Sequence, residues 1–268
     1  INIFGNFITE EKVIRNKLIV DEGDPYNKIL FNKSINDIKS KGIFKSVTSE
    51  INDSALKNNF KTINITVEEK ATGEIFAGAG TGTDGSSVSA GIKEKNYLGK
   101  GIELDTNITL SDDEIKGKFS VINHNFRNTD RTIKTTIEST SSDYLTSSGY
   151  KTTRTGIKLG TGFEQYEDLF FNIDMSNYYE KLETSSSASA IKKKQEGDYF
   201  ENLLSYSLTF NKLDQNFQPS DGYLTKFSQT LPIYSDDQSI ENYFTTAKYH
   251  SVNESLIFSG KLFLKAVN

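Results

Sequence analysis

The sequence predicts two joined architectures: an N-terminal α+β domain over residues 1–71 and an antiparallel transmembrane β-barrel portion over residues 72–268. Three observations predict them. Up to Ala71 the apolar residues follow mixed periods, helical in one stretch and alternating in the next. After Ala71 nearly every segment alternates with period two. The polar side of that alternation is continuously polar: Ile102, Leu104, Ile108 and Leu110 share one face, and Glu103, Asp105, Asn107 and Thr109 share the other. A strand buried between two sheets would not set four polar groups opposite four aliphatic ones unless that face were wet.

The elements follow in order. Ile1–Asn6 reads as a short strand, and Thr9 as the N-cap of a helix over Glu10–Leu18, with Glu10 and Glu11 where the helix dipole favours acids. Glu22-Gly23-Asp24-Pro25 is a turn. A second helix is expected over about Asn27–Lys41, with Leu30, Phe31, Ile35 and Ile38 at helical spacing and Gly42 just past its end. Two strands follow, Phe44–Ile51 and Asn59–Glu69. The order β-α-α-β-β within about seventy residues is enough for a small core.

From Ile75 onward there are about eleven alternating segments, many near the ten residues that cross a bilayer at barrel tilt. Leu169, Phe171, Ile173 and Met175 repeat the pattern, as do Leu204, Tyr206, Leu208 and Phe210. The expected lipid-facing set therefore includes Leu104, Ile108, Phe171 and Leu208, and the luminal set Asp105, Asn107, Asp174 and Ser207. Tyr97, Phe126, Tyr144, Tyr178, Tyr179 and Tyr223, near segment ends, are candidates for an aromatic girdle. The longest turn is expected at Glu183–Asn202, with Ser185–Ser189 and the solvated Lys192–Lys194.

The first segment differs from the rest. Ile75, Ala77, Ala79, Thr81 and Thr83 would share one face, and Phe76, Gly78, Gly80 and Gly82 the other, so this strand should grip its neighbours weakly. Gly80, Gly82 and Gly85 satisfy the dinucleotide-binding G-x-G-x-x-G spacing, but Ser86–Ile92 alternates where that motif needs a helix.

With 25% charged residues and a mean hydropathy of -0.51, the chain has no run suited to a membrane helix, which leaves a barrel open. A net charge of -5 gives no reason to expect nucleic acid. There are no cysteines, hence no disulfides and no thiolate chemistry. No charged n-region or apolar h-region is present at Ile1, so any export signal is expected to lie outside this chain. His124 and His250 fall in separate segments and no H-E-x-x-H or G-x-S-x-G occurs, so no catalytic constellation, cofactor site or metal site is expected; Asp112-Asp113-Glu114 reads as an acidic turn.

Several stretches together resemble a known family. Ile1–Asn6, Thr9, Val13-Ile14-Arg15 and Glu22-Gly23 look like the opening of a POTRA domain, the periplasmic β-α-α-β-β module. Val67–Gly73 resembles the junction of the last POTRA domain with the barrel in the BamA family of outer-membrane β-barrel assembly factors. Asn96–Gly101 resembles the family's second turn, and Asn211–Asp214 followed by Pro219–Gly222 its recurring periplasmic turn. The ordered set spans the whole chain.

The resemblance implies a fragment: the last POTRA domain plus about eleven of roughly sixteen strands, without the inward-folded Arg-Gly-Phe loop and the closing strands. It implies a bacterial outer-membrane location with the POTRA domain in the periplasm. The implied function is folding and inserting β-barrel proteins without ATP or other bond-making chemistry. Unfolded outer-membrane β-barrel proteins would be its clients, accessory lipoproteins its partners and outer-membrane lipid its surroundings. The residues expected to pair with a client strand, through their backbone at a lateral seam, are Ile75, Phe76, Ala77, Gly78, Ala79 and Gly80. Lys45, Ser46 and Val47, in the expected POTRA edge strand, form a second augmentation candidate, and Glu22 matches an acidic position that faces an accessory lipoprotein. Three alternatives stand beside this reading: a transporter of the same superfamily that passes a polypeptide through its lumen, a passive pore, and a soluble all-β binding protein.

Overall fold

A computed structural model describes residues 1–53, 60–82, 85–215, 218–236, 238–253 and 256–268. The N-terminal unit runs β1 (Asn2–Phe4), α1 (Glu11–Arg15), α2 (Lys28–Ser40), β2 (Phe44–Asp53) and β3 (Lys61–Glu69). Its sheet order is β1-β3-β2, with β1 parallel and β2 antiparallel to β3. Ile63, Ile65 and Val67 alternate along the central strand and are buried against Val13, Ile14, Phe31, Ile35 and Ile38 of the helices. Asn27 caps α2, its side chain accepting the Ile29 and Leu30 N–H groups. Buried Ser34 ties α2 to the segment that follows α1, donating to the Leu30 carbonyl of its own helix and accepting the Ile19 N–H at 2.9 Å.

Three local expectations change here. Helix α1 is shorter than the expected Glu10–Leu18, and Glu10 precedes it without a side-chain cap. Thr9 is not the cap because its groups are used elsewhere: its N–H binds Glu69 and its hydroxyl accepts from Asn96. Strand β1 covers only the middle of Ile1–Asn6. Asn59, the expected start of the last strand of this unit, lies outside the described residues.

The second unit is one antiparallel sheet of eleven strands in sequence order. They are β4 (Gly73–Gly82), β5 (Gly85–Tyr97), β6 (Ile102–Ser111), β7 (Glu114–Asn123), β8 (Thr132–Tyr144), β9 (Tyr150–Tyr166), β10 (Leu169–Thr184), β11 (Gly197–Leu213), β12 (Gly222–Tyr234), β13 (Glu241–Asn253) and β14 (Leu256–Val267). A strand follows Gly85 where a dinucleotide site needs a helix. Thr83 and Asp84 lie outside the described residues.

The register links one face across the whole sheet. Leu104 opposes Val121, Leu159 opposes Met175, and Leu208 opposes both Phe171 and Phe227. On this face Ile108, Leu159, Met175 and Leu208 are exposed. On the other face Ser120, Thr136, Ser176 and Ser207 are buried. Apolar residues outside and polar ones crowded inside invert the arrangement of a water-soluble protein, and match a barrel wall with lipid on its outer side.

Strands β9, β10 and β11 reach 16–17 residues, longer than a bilayer crossing needs. They therefore consume both ends of the expected Glu183–Asn202 loop, which retains a short helix, α3 (Ala190–Lys194), capped by Ser189. Two girdle candidates also move. Tyr178 shares the polar face with Asp174 and is buried, while Tyr144 opposes Tyr150 on that same side. Tyr97, Tyr179 and Tyr223 are exposed on the apolar face.

Candidate functional site

Strand β4 is one edge of the eleven-stranded sheet and β14 the other. β4 pairs with β5 alone among the described strands, from Gly73 opposite Glu94 to Gly82 opposite Gly85, so its other side presents a row of backbone donors and acceptors. Gly78, Gly80 and Gly82 fall on the polar face with Phe76, and around Gly80 and Gly82 no atom lies within 4 Å of where a Cβ would stand. Ile75, Ala77 and Ala79 face the apolar side, and Ile75 is 85% exposed. A strand so bare can separate from an outer partner with little side-chain packing to break.

Phe76 departs from a purely backbone role. Its ring folds over Gly91 of β5: a Cβ on Gly91 would meet Phe76 Cζ at 2.4 Å and the Thr106 carbonyl oxygen at 2.5 Å. The Lys93 ammonium stands 5.7 Å from the ring centroid. Gly91 is thus the socket that lets the Phe76 ring of β4 lie flat, a role visible in sequence only as a small residue facing an aromatic one across a hairpin.

The N-terminal unit is fastened beside this edge. Glu69, at the end of β3, accepts the consecutive N–H groups of Phe7 (3.1 Å), Ile8 (3.0 Å) and Thr9 (2.6 Å). Burial pushes its carboxyl up, but the hydrogen bonds from Thr9, Ile8 and Phe7 together outweigh that and hold it below the usual range. The β5–β6 turn then docks on the same segment: Glu10 N–H donates to the Gly99 carbonyl at 2.8 Å, and Asn96 donates to the Thr9 hydroxyl at 2.9 Å. Gly99 has φ +71, and a Cβ there would sit 2.0 Å from the Ile8 carbonyl oxygen, so only glycine fits this contact. Lys41, at the end of α2, is pushed down to about 8 by burial, with Lys17 adding to the effect and Glu103 opposing it. On the far side, Lys33 of α2 reaches Asp168 in the β9–β10 turn at 3.6 Å.

The other expected residues lie apart from β4. β2 is an edge strand of the N-terminal sheet, as expected. Lys45 pairs with Glu68 at 2.7 Å, Ser46 donates to the same carboxylate, and Val47 is buried. Glu22 is exposed and accepts from Arg15 at 3.0 Å. Asp112 accepts the Ser86 N–H and Glu114 pairs with Lys116, so this acidic turn is tied up locally; no cluster of metal-ligating side chains occurs among the described residues.

On the luminal wall Tyr178 donates to Glu138 at 2.6 Å, Lys158 pairs with Glu138 at 3.0 Å, and the Arg154 guanidinium, 4.0 Å above the Tyr178 ring, binds Glu201 at 2.6 Å. Side-chain parity with Asp174 would have placed Tyr178 there, whereas its position near a segment end suggested a girdle.

Sequence and structure comparisons agree with this architecture. The Omp85 superfamily domain matches residues 96–267, and the POTRA surface antigen variable number repeat matches residues 1–70. Outer membrane protein assembly factor BamA of Neorickettsia risticii (strain Illinois) is 25% identical over 265 residues, covering 97% of this chain and 35% of that protein. BamA from Haemophilus ducreyi lacking POTRA domains 1-3 superposes with a TM-score of 0.69 at 20% identity, over 99% of this chain and 54% of that one. CdiB from Acinetobacter baumannii superposes with a TM-score of 0.58 at 8% identity, over the full chain and 52% of its own. The chain thus spans about a third of the BamA relative and about half of the solved chains. With its larger unit matched by the superfamily domain and its smaller one by the POTRA repeat, the chain belongs to the Omp85 superfamily of outer-membrane β-barrel proteins and is BamA-like in both parts.

Proposed function

We propose that this chain is part of an outer-membrane protein assembly factor that folds and inserts β-barrel proteins by strand augmentation at a lateral seam. The observation that carries the reading is β4: an edge strand of the sheet that bears no side chain at Gly78, Gly80 and Gly82 on its polar face, so that its hold on an outer partner rests mainly on the backbone. An incoming client strand must satisfy its own N–H and C=O groups before it meets lipid, because each unsatisfied group in hydrocarbon costs several kcal/mol. An edge of Ile75, Phe76, Ala77, Gly78, Ala79 and Gly80 offers those partners at the membrane itself. The client is then an unfolded outer-membrane β-barrel protein. Glu22 and the β2 edge at Lys45, Ser46 and Val47 are the surfaces proposed for accessory lipoproteins and for periplasmic client segments. The work is done by exchange of hydrogen bonds, with no bond-making chemistry.

The similarity to BamA, a protein described as an outer membrane protein assembly factor, over nearly the whole chain supports assembly over polypeptide transport. The test is a disulfide engineered in the full-length protein between β4 and the strand that closes the barrel. Client insertion into vesicles should stop when the disulfide forms and return on reduction, because the tether removes only the open state. Undiminished insertion by the fully crosslinked protein refutes the seam as the route. A passive pore would keep its conductance under the same crosslink.

A further inference from the structure

Phe7 and Ile8 are large apolar residues of the N-terminal unit that its core does not use: they are 93% and 73% exposed, and unlike Ile29 of α2, which is 80% exposed, they adjoin the β5–β6 turn. Their exposure is built in, because the Glu69 carboxylate binds both N–H groups and fixes the backbone that presents them. Leu98, 68% exposed, joins them through the β5–β6 turn, where the neighbouring Gly99 packs against the Ile8 carbonyl. Leu98 holds φ +55, a left-handed conformation unfavourable to a branched residue and one that a packed interior would have to justify. Here it serves no interior. The next residue back, Tyr97, is exposed on the apolar face of the barrel wall opposite Ile102, so the patch continues the lipid-facing surface downward without a break. At its border Lys12 is ion-paired with Glu10 at 2.6 Å, and Lys100 is exposed.

We propose that Phe7, Ile8 and Leu98 form a lipid anchor, entering the headgroup–acyl boundary of the adjacent leaflet and holding the POTRA domain against the membrane beside β4. Three properties select lipid over a protein occupant. The patch is contiguous with the barrel's lipid-facing wall through Tyr97, which sits where interfacial aromatics belong. It is a set of protruding side chains, suited to shallow insertion of about 5–10 Å. The exposed Lys100 at its border suits anionic headgroups. The inference rests on the membrane-barrel reading of the sheet.

The test uses the full-length protein, in an otherwise cysteine-free background, in phosphatidylethanolamine–phosphatidylglycerol vesicles. A nitrobenzoxadiazole dye is placed on Phe7→Cys, with Lys45→Cys and Ile108→Cys as reference sites, and lipids carrying shallow nitroxides are the quenchers. The Phe7 site tolerates the change because its side chain packs against almost nothing. Dye at position 7 should show blue-shifted emission and lose intensity to the shallow nitroxide; dye at position 45 should do neither, and dye at position 108 should be quenched. Water-like, unquenched dye at position 7 beside quenched dye at 108 overturns the anchor and leaves the barrel standing. Unquenched dye at 108 overturns the membrane reading and the anchor with it. A blue shift at position 7 without lipid quenching means that protein covers the patch, which also overturns the anchor.

Discussion

Leu208→Arg tests the assignment of faces on which the functional reading depends. Leu208 is 40% exposed on the apolar face, between Phe171 on β10 and Phe227 on β12. It stands five positions before Leu213, the end of β11. At about 3.4 Å per residue and a tilt near 40°, that is roughly 13 Å of height, half of the ~25 Å apolar band of a barrel. An arginine there cannot bring its charge to either interface without bending the bilayer, and the expected loss is about 2–4 kcal/mol. Leu104→Arg should cost less, because Leu104 lies two positions from the start of β6 and its cation can reach headgroups. Asn107→Arg, on the wet face opposite Gly91 and Lys118, should cost under about 1 kcal/mol, since Lys118 is already engaged by Asp105 at 3.2 Å. Denaturant titration of the full-length protein in vesicles, read by heat-modified gel mobility, gives the three values. Equal destabilisation by Leu208→Arg and Asn107→Arg would refute the facing assignment, because a one-residue slip of register is the only way to exchange the two sets.

Gly91→Ala should lower stability by about 1–3 kcal/mol in the same titration, because the new methyl meets both the Phe76 ring and the Thr106 carbonyl oxygen; Gly91→Ala combined with Phe76→Ala should recover only part of the loss. Glu69 has a folded pKa held below its unfolded one, so its contribution is present above the unfolded value and lost as pH falls through the folded value. The protection factors of the Phe7, Ile8 and Thr9 amides, taken against their intrinsic exchange rates at each pH, should therefore fall in acid, and Glu69→Gln should show the lower protection already at neutral pH. Lys41 has the opposite linkage: with a folded value of about 8, below its ordinary 10.5, the unfolded chain holds more protons between those values, so stability rises with pH across that window. Lys41→Met should flatten the rise in thermal midpoint over that range.

The alternating strands were legible because membrane barrels write their facing residue by residue. Ile102–Leu110 needs no tertiary information to show two chemically distinct sides, and the register in the structure only joins neighbouring copies of the same pattern. Helix α2 was legible for a similar reason, with Asn27 and Gly42 marking its ends. What the sequence concealed was long-range. Thr9 has the chemistry of an N-cap, yet Glu69 and Asn96, distant in sequence, take its groups. Tyr178 stands near a segment end like a girdle residue, but its parity puts it on the luminal wall with Glu138 and Arg154. At the seam, glycine content was readable directly; the fit of Phe76 into Gly91 was not, because it depends on hairpin register.

The placement of the N-terminal unit bears on how a seam could open without the protein coming apart. The POTRA domain grips the β5–β6 turn through Thr9, Glu10 and Asn96 and reaches the β9–β10 turn through Lys33. Among the described residues its tie to β4 is the covalent run from Glu69 to Gly73, steadied by Thr72, whose carbonyl accepts the Lys95 N–H and whose hydroxyl binds Glu94 of β5. β5 is therefore clamped at its turn, while β4 is held at its Gly73 end and by its ladder to β5. On the proposed reading, strain on β4 would meet a fixed partner in β5, so separation is expected on the outer side of β4. On the proposed reading, a clamp on β4 itself would couple every opening to displacement of the POTRA domain, whereas a clamp one hairpin inward would leave the edge to exchange partners while the domain stays docked.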